Sequence, residues 1–144
     1  MRVVADTNIL VSAILWVGPP HQILLAAEAG QVSLYTSQKL IEELEGVLSR
    51  PKFSSRLLDR RVTVDDAVAS YLGLAHLVTA HPIPRLIADD PSDDAVLACA
   101  LAAQAAYIVT GDFHLLDLER YRTTHIVSPG TFIAILRGSR KLST

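Results

Sequence analysis

Short apolar runs of the kind found in buried strands alternate along this chain with longer segments whose apolar residues recur at helical spacing. The runs predict strands at Val3–Ala5, Val32–Tyr35, Leu77–Val78, Tyr107–Thr110 and Ile126–Val127. The helical spacing predicts helices at Ile9–Val17, Ile23–Ala29, Leu40–Leu48, Ser54–Asp59, Val64–Ala75, Asp90–Gln104 and Phe132–Leu136. Parallel neighbouring strands need a crossover, and here the crossovers are helices. The pattern therefore predicts an α/β fold in three layers, with a mostly parallel central sheet flanked by helices.

Polar side chains follow two of the predicted strands, at the edge of the sheet where parallel α/β folds place their sites. Asp6, Thr7 and Asn8 come directly after the first strand. Asp112 follows the strand that ends at Thr110. An isolated acid after a strand is as readily a helix cap as a site, but three adjacent oxygen-bearing side chains suit a hard cation better than they suit packing. Asp112 taken alone is equally compatible with ordinary turn chemistry.

Further carboxylates lie near the start of two predicted helices. The first group is made up of Asp89, Asp90, Asp93 and Asp94. At least two of these acids are expected to lie on a solvated face or to favour the positive end of the helix dipole. Asp94 directly precedes an apolar run, so it must either find a cation or lose solvation at a cost. On the helix after the second strand, Glu43 lies near the edge of the buried stripe, although the pattern does not separate its position cleanly from that of Glu42.

Four carboxylates from four segments match the requirements of phosphoryl or phosphodiester hydrolysis with Mg²⁺ or Mn²⁺. They are Asp6, Glu43, Asp94 and Asp112. Such cations need several oxygen ligands, lower the pKa of a bound water and neutralise charge on the attacked phosphate. The polar neighbours expected to support the four acids are Thr7, Asn8, Asp93 and Thr110. The residues alone are compatible with one cation or with two.

The composition limits the classes of protein to which the chain can belong. Its 144 residues, half of them apolar, predict a single domain over residues 1–144. A net charge of −2 argues against a strongly basic DNA-coating protein and against an acidic disordered tail. The one cysteine, Cys99, excludes an intramolecular disulfide and a multi-cysteine zinc knuckle, and the apolar run 95–103 is too short for a membrane span. We therefore expect a soluble, cytoplasmic protein.

Basic residues are concentrated in one segment, where a single acid, Asp59, offsets them. They are Arg50, Lys52, Arg56, Arg60 and Arg61. A solvated face is the ordinary explanation of such a segment, and beside a nuclease site a role in tracking phosphates is about equally reasonable. Four aromatic residues are candidates for stacking on bases, although aromatics in apolar runs more often lie in a core. They are Trp16, Phe53, Tyr71 and Phe132.

In their order and placement, the acidic segments resemble the motifs of the PIN-domain family, and in particular its VapC-like branch of toxin components from toxin-antitoxin operons. Val3–Ala13 is similar to the opening strand of the family with its first acid, and Leu40–Leu44 is similar to the second acidic motif. Residues 90–97 are similar to the third motif, and Thr110–Asp112 is similar to the fourth. The segment Leu48–Phe53 is similar to one typical of this branch. The resemblance covers nearly the whole chain.

The resemblance implies an endoribonuclease that cuts RNA by metal-dependent attack of water, with the same four acids as its acidic set. It also implies a homodimer and, in the operon, an antitoxin that masks the site. The chain departs from the commonest fourth motif at His114, where many relatives carry an acid. His114 is therefore open to three interpretations: a metal ligand, a phosphate contact or a spectator.

Other functions are also compatible with these residues. A phosphoryl-transfer enzyme or phosphoacceptor domain with an aspartate nucleophile has a similar α/β design. The haloacid-dehalogenase pattern, however, needs an acid where Asn8 stands, and a receiver-like domain needs an acidic pair where only Asp6 is present. A PIN-like nuclease that processes RNA outside a toxin-antitoxin pair fits the same acids. A catalytically idle module that binds an antitoxin or RNA is disfavoured by the complete acidic set.

Overall fold

A computed structural model of the chain describes residues 1–84 and 91–143, over which strands and helices alternate. The strands are β1 (Arg2–Ala5), β2 (Ser33–Thr36), β3 (His76–Leu77), β4 (Tyr107–Val109), β5 (Arg120–Tyr121) and β6 (Thr124–Val127). The helices are α1 (Thr7–Leu15), α2 (Pro19–Glu28), α3 (Gln38–Leu48), α4 (Ser54–Asp59), α5 (Val64–Leu74), α6 (Pro91–Ala103), α7 (Phe113–Leu116) and α8 (Pro129–Ser143). A 3₁₀ turn at Pro51–Phe53 leads into α4.

The strands form one sheet in the order β3-β2-β1-β4-β6-β5. Neighbouring strands run parallel from β3 to β6, and β5 pairs antiparallel with β6 at the edge. The predicted α/β fold with a mostly parallel sheet is therefore confirmed. Because β1 and β4 are direct neighbours and run in the same direction, the residues that follow them lie at one edge of the sheet.

The two faces of the sheet bury alternate residues of each strand, as a pleated strand requires. Val3 and Ala5 of β1 belong to a core formed with α1, α2, α3, α5 and α8. Val4, between them, belongs to a second core on the opposite face, formed mainly with α6. The sheet is thus covered on both sides by helices, which gives the three predicted layers.

The sequence of α3 explains how a helix is held with a defined face toward the sheet. Ser37 caps its start by accepting a hydrogen bond from the Leu40 amide at 3.4 Å. The apolar stripe is buried at Leu40, Ile41, Leu44, Val47 and Leu48. Glu42 and Glu45 lie on the exposed face. The stripe predicted from the periodicity is therefore the one that packs.

The break predicted after the first helix is also present. Gly18 adopts a φ of +146°, in a region that side-chain-bearing residues rarely occupy, and Pro19 then begins α2. As a result α1 and α2 meet at a bend of 86°. Among the described residues no single helix is long and apolar enough to cross a membrane, although this bent pair passes the same length and composition test when its helices are taken together.

Some elements differ from those predicted from the pattern. The two-residue strand β5 and the four-residue helix α7 were not predicted, because segments this short show no measurable periodicity. The last helix begins at Pro129 and continues to Ser143, well beyond the predicted Phe132–Leu136. Leu72, an apolar residue within the predicted helix Val64–Ala75, is 41% exposed.

Candidate active site

Asp6 and Asp112 meet at the carboxyl ends of β1 and β4, with Thr110 between them. The strands pair with Ala5 opposite Val109, and the Asp6 amide donates to the Val109 carbonyl at 3.1 Å. The Thr110 hydroxyl donates to Oδ2 of Asp6 and accepts from the Asp112 amide at 3.0 Å. Thr110 is itself fully buried. One hydroxyl therefore joins two acidic segments that are more than a hundred residues apart in the chain.

Each of these acids also begins a helix. Oδ1 of Asp6 accepts from the Ile9 amide at 3.0 Å at the start of α1. Oδ1 of Asp112 accepts from the His114 amide at 2.8 Å at the start of α7. Asp6 therefore does cap a helix, one of the two roles the sequence allowed it. Asp112 also caps a helix, which the sequence did not predict, and both carboxylates are oriented at the same edge of the sheet.

The environment of Asp6 disfavours its negative charge. Burial raises the pKa of Asp6, which is only 7% exposed, and the nearby Asp112 carboxylate raises it further. The Thr110 hydroxyl and the amides of Ile9 and Asn8 lower the same pKa by hydrogen bonding, but burial outweighs them. A cation placed between the two carboxylates would remove this conflict by compensating both charges.

The acids of α6 are placed differently from one another. Asp93 is buried, at 5% exposure, whereas Asp94 is half-buried. Asp94 lines a cavity of about 720 Å³ together with Lys39 and Glu42 of α3. Asp89 and Asp90, the other members of the acidic group, lie outside the described residues. Of these two acids, Asp93 is thus the buried one, whereas the sequence pattern predicted that Asp94 would be.

The rotation of α3 separates the two glutamates that the sequence pattern did not distinguish. Glu43 is half-buried beside the packed stripe, as expected from its position after Leu40. Glu42 is exposed, lines the cavity and accepts a hydrogen bond from Gln38 at 3.4 Å. Both glutamates lie on the first turns of a helix that begins at the carboxyl end of β2, next to β1 in the sheet. Glu43 is therefore the more buried of the two glutamates.

A Mg²⁺ or Mn²⁺ ion bound near Asp6 would need several oxygen ligands. Within residues 1–84 and 91–143, no group of three or more His, Cys, Asp or Glu side chains is arranged as a metal-binding cluster. Asp6 and Asp112 do lie close enough for electrostatic repulsion to act between them. Mg²⁺ keeps several waters and is commonly held by only one or two carboxylates together with substrate phosphates. The Asp6 and Asp112 pair fits that mode of binding, in which water and substrate supply the other oxygens.

The remaining polar residues after β1 divide between core and solvent. Thr7 is buried, and Asn8 is exposed. His114, next to the fourth acidic segment, is exposed, and its ring lies 4.2 Å from that of Phe113. These positions place Asn8 and His114 at the surface and Thr7 inside.

The predicted basic segment lies at the end of α1 and α3 opposite to Asp6. Arg50, Lys52, Arg60 and Arg61 are exposed. Arg56 differs, because its Nε donates to the Leu15 carbonyl at 2.6 Å and it is half-buried. Arg56 thus satisfies the carbonyl of Leu15, the last residue of α1, a structural contact that its charge alone did not indicate.

The cavity beside Asp94 was not predicted from the sequence. It forms where α3, α6 and the segment after β3 come together, and its lining includes Lys39 and His81. Neither residue belongs to a motif, so no local pattern marks it. Only the spatial arrangement of three segments brings a lysine, a histidine and two carboxylates around one space.

Comparisons with known proteins relate the chain to a protein family and to a solved structure. A search of curated proteins finds no match to this chain. Among solved structures, the chain is similar to the crystal structure of VapBC2 from Rickettsia felis bound to a DNA fragment from their promoter, with a TM-score of 0.58 and 16% sequence identity. That match covers 88% of this chain and 97% of the other. At this identity the similarity supports the fold alone. The family model for the PIN domain matches residues 2–114, so the chain belongs to the PIN-domain family.

Proposed function

We propose that this protein is a Mg²⁺- or Mn²⁺-dependent endoribonuclease and the toxin of a type II toxin-antitoxin pair. PIN domains are generally nucleases and generally use divalent metal ions. The similarity to VapBC2, a toxin-antitoxin complex, supports an antitoxin as partner. The observation that carries the proposal is the Thr110 hydroxyl, which holds two acids of separate segments at one edge of the sheet.

In this proposal Asp6 and Asp112 hold the cation, and Glu43 and Asp94 complete the acidic set. A divalent cation bound there supplies an activated water and neutralises charge on the scissile phosphate. Thr110 fixes the orientation of Asp6, and Asp6 is kept out of bulk solvent by its burial. Thr7, Asn8 and Asp93 support the same edge of the sheet. Their contribution is positional, because a ligand is effective only when its oxygen is held in place.

The exposed basic residues Arg50, Lys52, Arg60 and Arg61 are proposed to track the phosphates of the RNA, with Arg56 fixed beneath them. The proposal further includes a homodimer, a cytoplasmic location and a single domain over the whole chain. The adjacent gene distinguishes a toxin from a nuclease that processes RNA, because a toxin is expected beside a gene for a small DNA-binding protein.

Cleavage of structured RNA by the purified protein tests the proposal directly. We expect cleavage with Mn²⁺ and none with EDTA, and we expect Asp6→Asn and Asp94→Asn to reduce cleavage to background. Asp65→Asn, which alters an exposed acid in the first turn of α5 outside the proposed acidic set, is the matched control and should cleave like the wild type. Activity that survives chelation, or that is unchanged in both site variants, would overturn the mechanism.

A further inference from the structure

A group of aromatic and basic side chains surrounds the end of α1. The group, here called the Trp16 platform, consists of Trp16, Lys52, Phe53 and Arg56. The indole of Trp16 is 43% exposed, and the Phe53 ring lies 6.2 Å away at an angle of 69°. The Arg56 guanidinium carbon lies 5.6 Å from the indole centroid while its Nε holds the Leu15 carbonyl. The indole is therefore braced by two neighbours and still presents a large surface to solvent.

The segment that contributes Phe53 and Arg56 to the platform is rich in basic side chains. Nζ of Lys52 lies 5.1 Å from the centroid of Phe53, and Lys52 is exposed. Arg50 and Arg60, on either side of the same segment, are exposed as well. Asp59 is the one acid between Arg50 and Arg61. An aromatic surface with several cations and little negative charge suits a nucleotide, because the base can stack on the ring and the phosphate can bind the cations.

A polar stripe on α1 connects the platform with the acidic site. Asn8 is exposed and Ser12 half-buried, and with Trp16 they are spaced four residues apart along one side of the helix. The opposite side of α1 is buried in the core. At 1.5 Å per residue, Asn8 and Trp16 are separated by about 12 Å. A stacked strand advances about 3.4 Å per nucleotide, so this distance corresponds to at most about four nucleotides.

We infer that the Trp16 platform is a subsite on which an unpaired base of single-stranded RNA stacks, within about four nucleotides of the bond cleaved at Asp6. Lys52 and Arg50 hold the phosphates that flank this base. Arg56 is a positioning residue that keeps the indole in place. Double-stranded RNA hides the faces of its bases and is recognised mainly by shape and backbone, so an exposed aromatic ring favours unpaired nucleotides. The inference rests on the proposed function for the location of the cut, but not for the stacking itself.

The platform can be tested without catalysis, because Trp16 is the only tryptophan in the chain. Its fluorescence is measured in EDTA while a short single-stranded oligouridylate is added. We expect saturable quenching that weakens as salt is raised and in Lys52→Ala. The same oligomer with abasic sugars should quench little. Unchanged fluorescence, or equal quenching by the abasic oligomer, would overturn the inference. Equal quenching by polyglutamate would also overturn it, because an acidic peptide would then be the ligand.

A cleavage assay then locates the subsite. RNA oligomers with one cut site carry a single abasic residue at successive positions on either side of the cut. We expect one position within about four nucleotides to reduce kcat/KM by at least about fivefold, mainly through KM. Trp16→Ala should show the same loss with intact RNA and no further loss with the abasic oligomer, and Trp16→Tyr should recover most of it.

Val17→Ala is the matched control, because Val17 is 80% exposed beside the platform and has no ring. It should behave as the wild type in both assays. If no RNA is cleaved by any form of the protein, the proposed function fails while the fluorescence result still decides the platform. If RNA is cleaved and no abasic position matters, the platform is wrong and the nuclease proposal stands.

Discussion

Replacing Thr110 by valine tests the link between the two acidic segments. The substitution keeps the size of a fully buried side chain but removes the hydroxyl that donates to Asp6 and accepts from the Asp112 amide. A hydrogen bond to a charged group contributes about 1.5 to 3 kcal/mol, and a neutral one about 1 kcal/mol. At neutral pH we therefore expect the free energy of unfolding to fall by about 2.5 to 4 kcal/mol.

The pH dependence of this loss identifies its cause. Burial raises the pKa of Asp6 in the folded protein above its usual value of 3.8. Protonation of Asp6 therefore stabilises the fold fully below pH 3.8, and this contribution to stability is lost as the pH rises through the pKa of the folded state. Removing the Thr110 hydroxyl takes away a bond that lowers that pKa, so the variant continues to lose stability to higher pH. The difference from the wild type should be smallest in acid, where both lost bonds are neutral, at about 2 kcal/mol, and largest near neutrality.

Urea unfolding in EDTA, followed by circular dichroism between about pH 4 and pH 8, measures both quantities. Thr124→Val is the matched control, because the Thr124 hydroxyl is equally buried but donates to the neutral Ala105 carbonyl at 2.7 Å. Its loss should not vary with pH. Thr110→Ser retains the hydroxyl and should stay within about 1 kcal/mol of the wild type. Equal pH profiles for the two valine variants would refute the role assigned to Thr110.

Three further predictions follow from buried polar groups. Asp6→Asn keeps the cap of α1 and removes an unfavourable buried charge, so in EDTA at pH 7 its Tm should equal or exceed that of the wild type. Addition of Mg²⁺ should raise the Tm of the wild type but not that of the variant. Tyr71→Phe removes a buried hydroxyl that has no hydrogen-bond partner among the described residues. The free energy of unfolding of this variant should therefore be unchanged or higher by up to about 1 kcal/mol. A loss above about 2 kcal/mol in urea unfolding would contradict this expectation. Burial raises the pKa of Cys99 to about 12, and this outweighs the lowering effect of its hydrogen bond with Ser37. Iodoacetamide at pH 8 should therefore label the native thiol far more slowly than the thiol of the unfolded protein. Equal labelling rates would show that the native thiol is accessible.

The pattern of apolar residues was sufficient to predict the elements that are long or fully buried. The stripe of α3, from Leu40 to Leu48, was recognisable because burial on one side of a helix imposes its own period on the sequence. The topology rule for parallel sheets placed Asp6 and Asp112 at one edge, and β1 does lie beside β4. Elements as short as β5 leave no such signal, because two residues cannot show a period.

The sequence by itself therefore determined the fold class and the edge of the sheet where Asp6 and Asp112 lie, because these depend on local periodicity and on the direction of the strands. Only the tertiary structure decided what depends on rotation and contact. It buried Asp93 rather than Asp94, covered part of Glu43 while leaving Glu42 exposed, and placed Arg56 against the end of α1. Neighbouring residues on a helix differ by about 100° in direction, and the side that faces the core is chosen by packing partners distant in the chain.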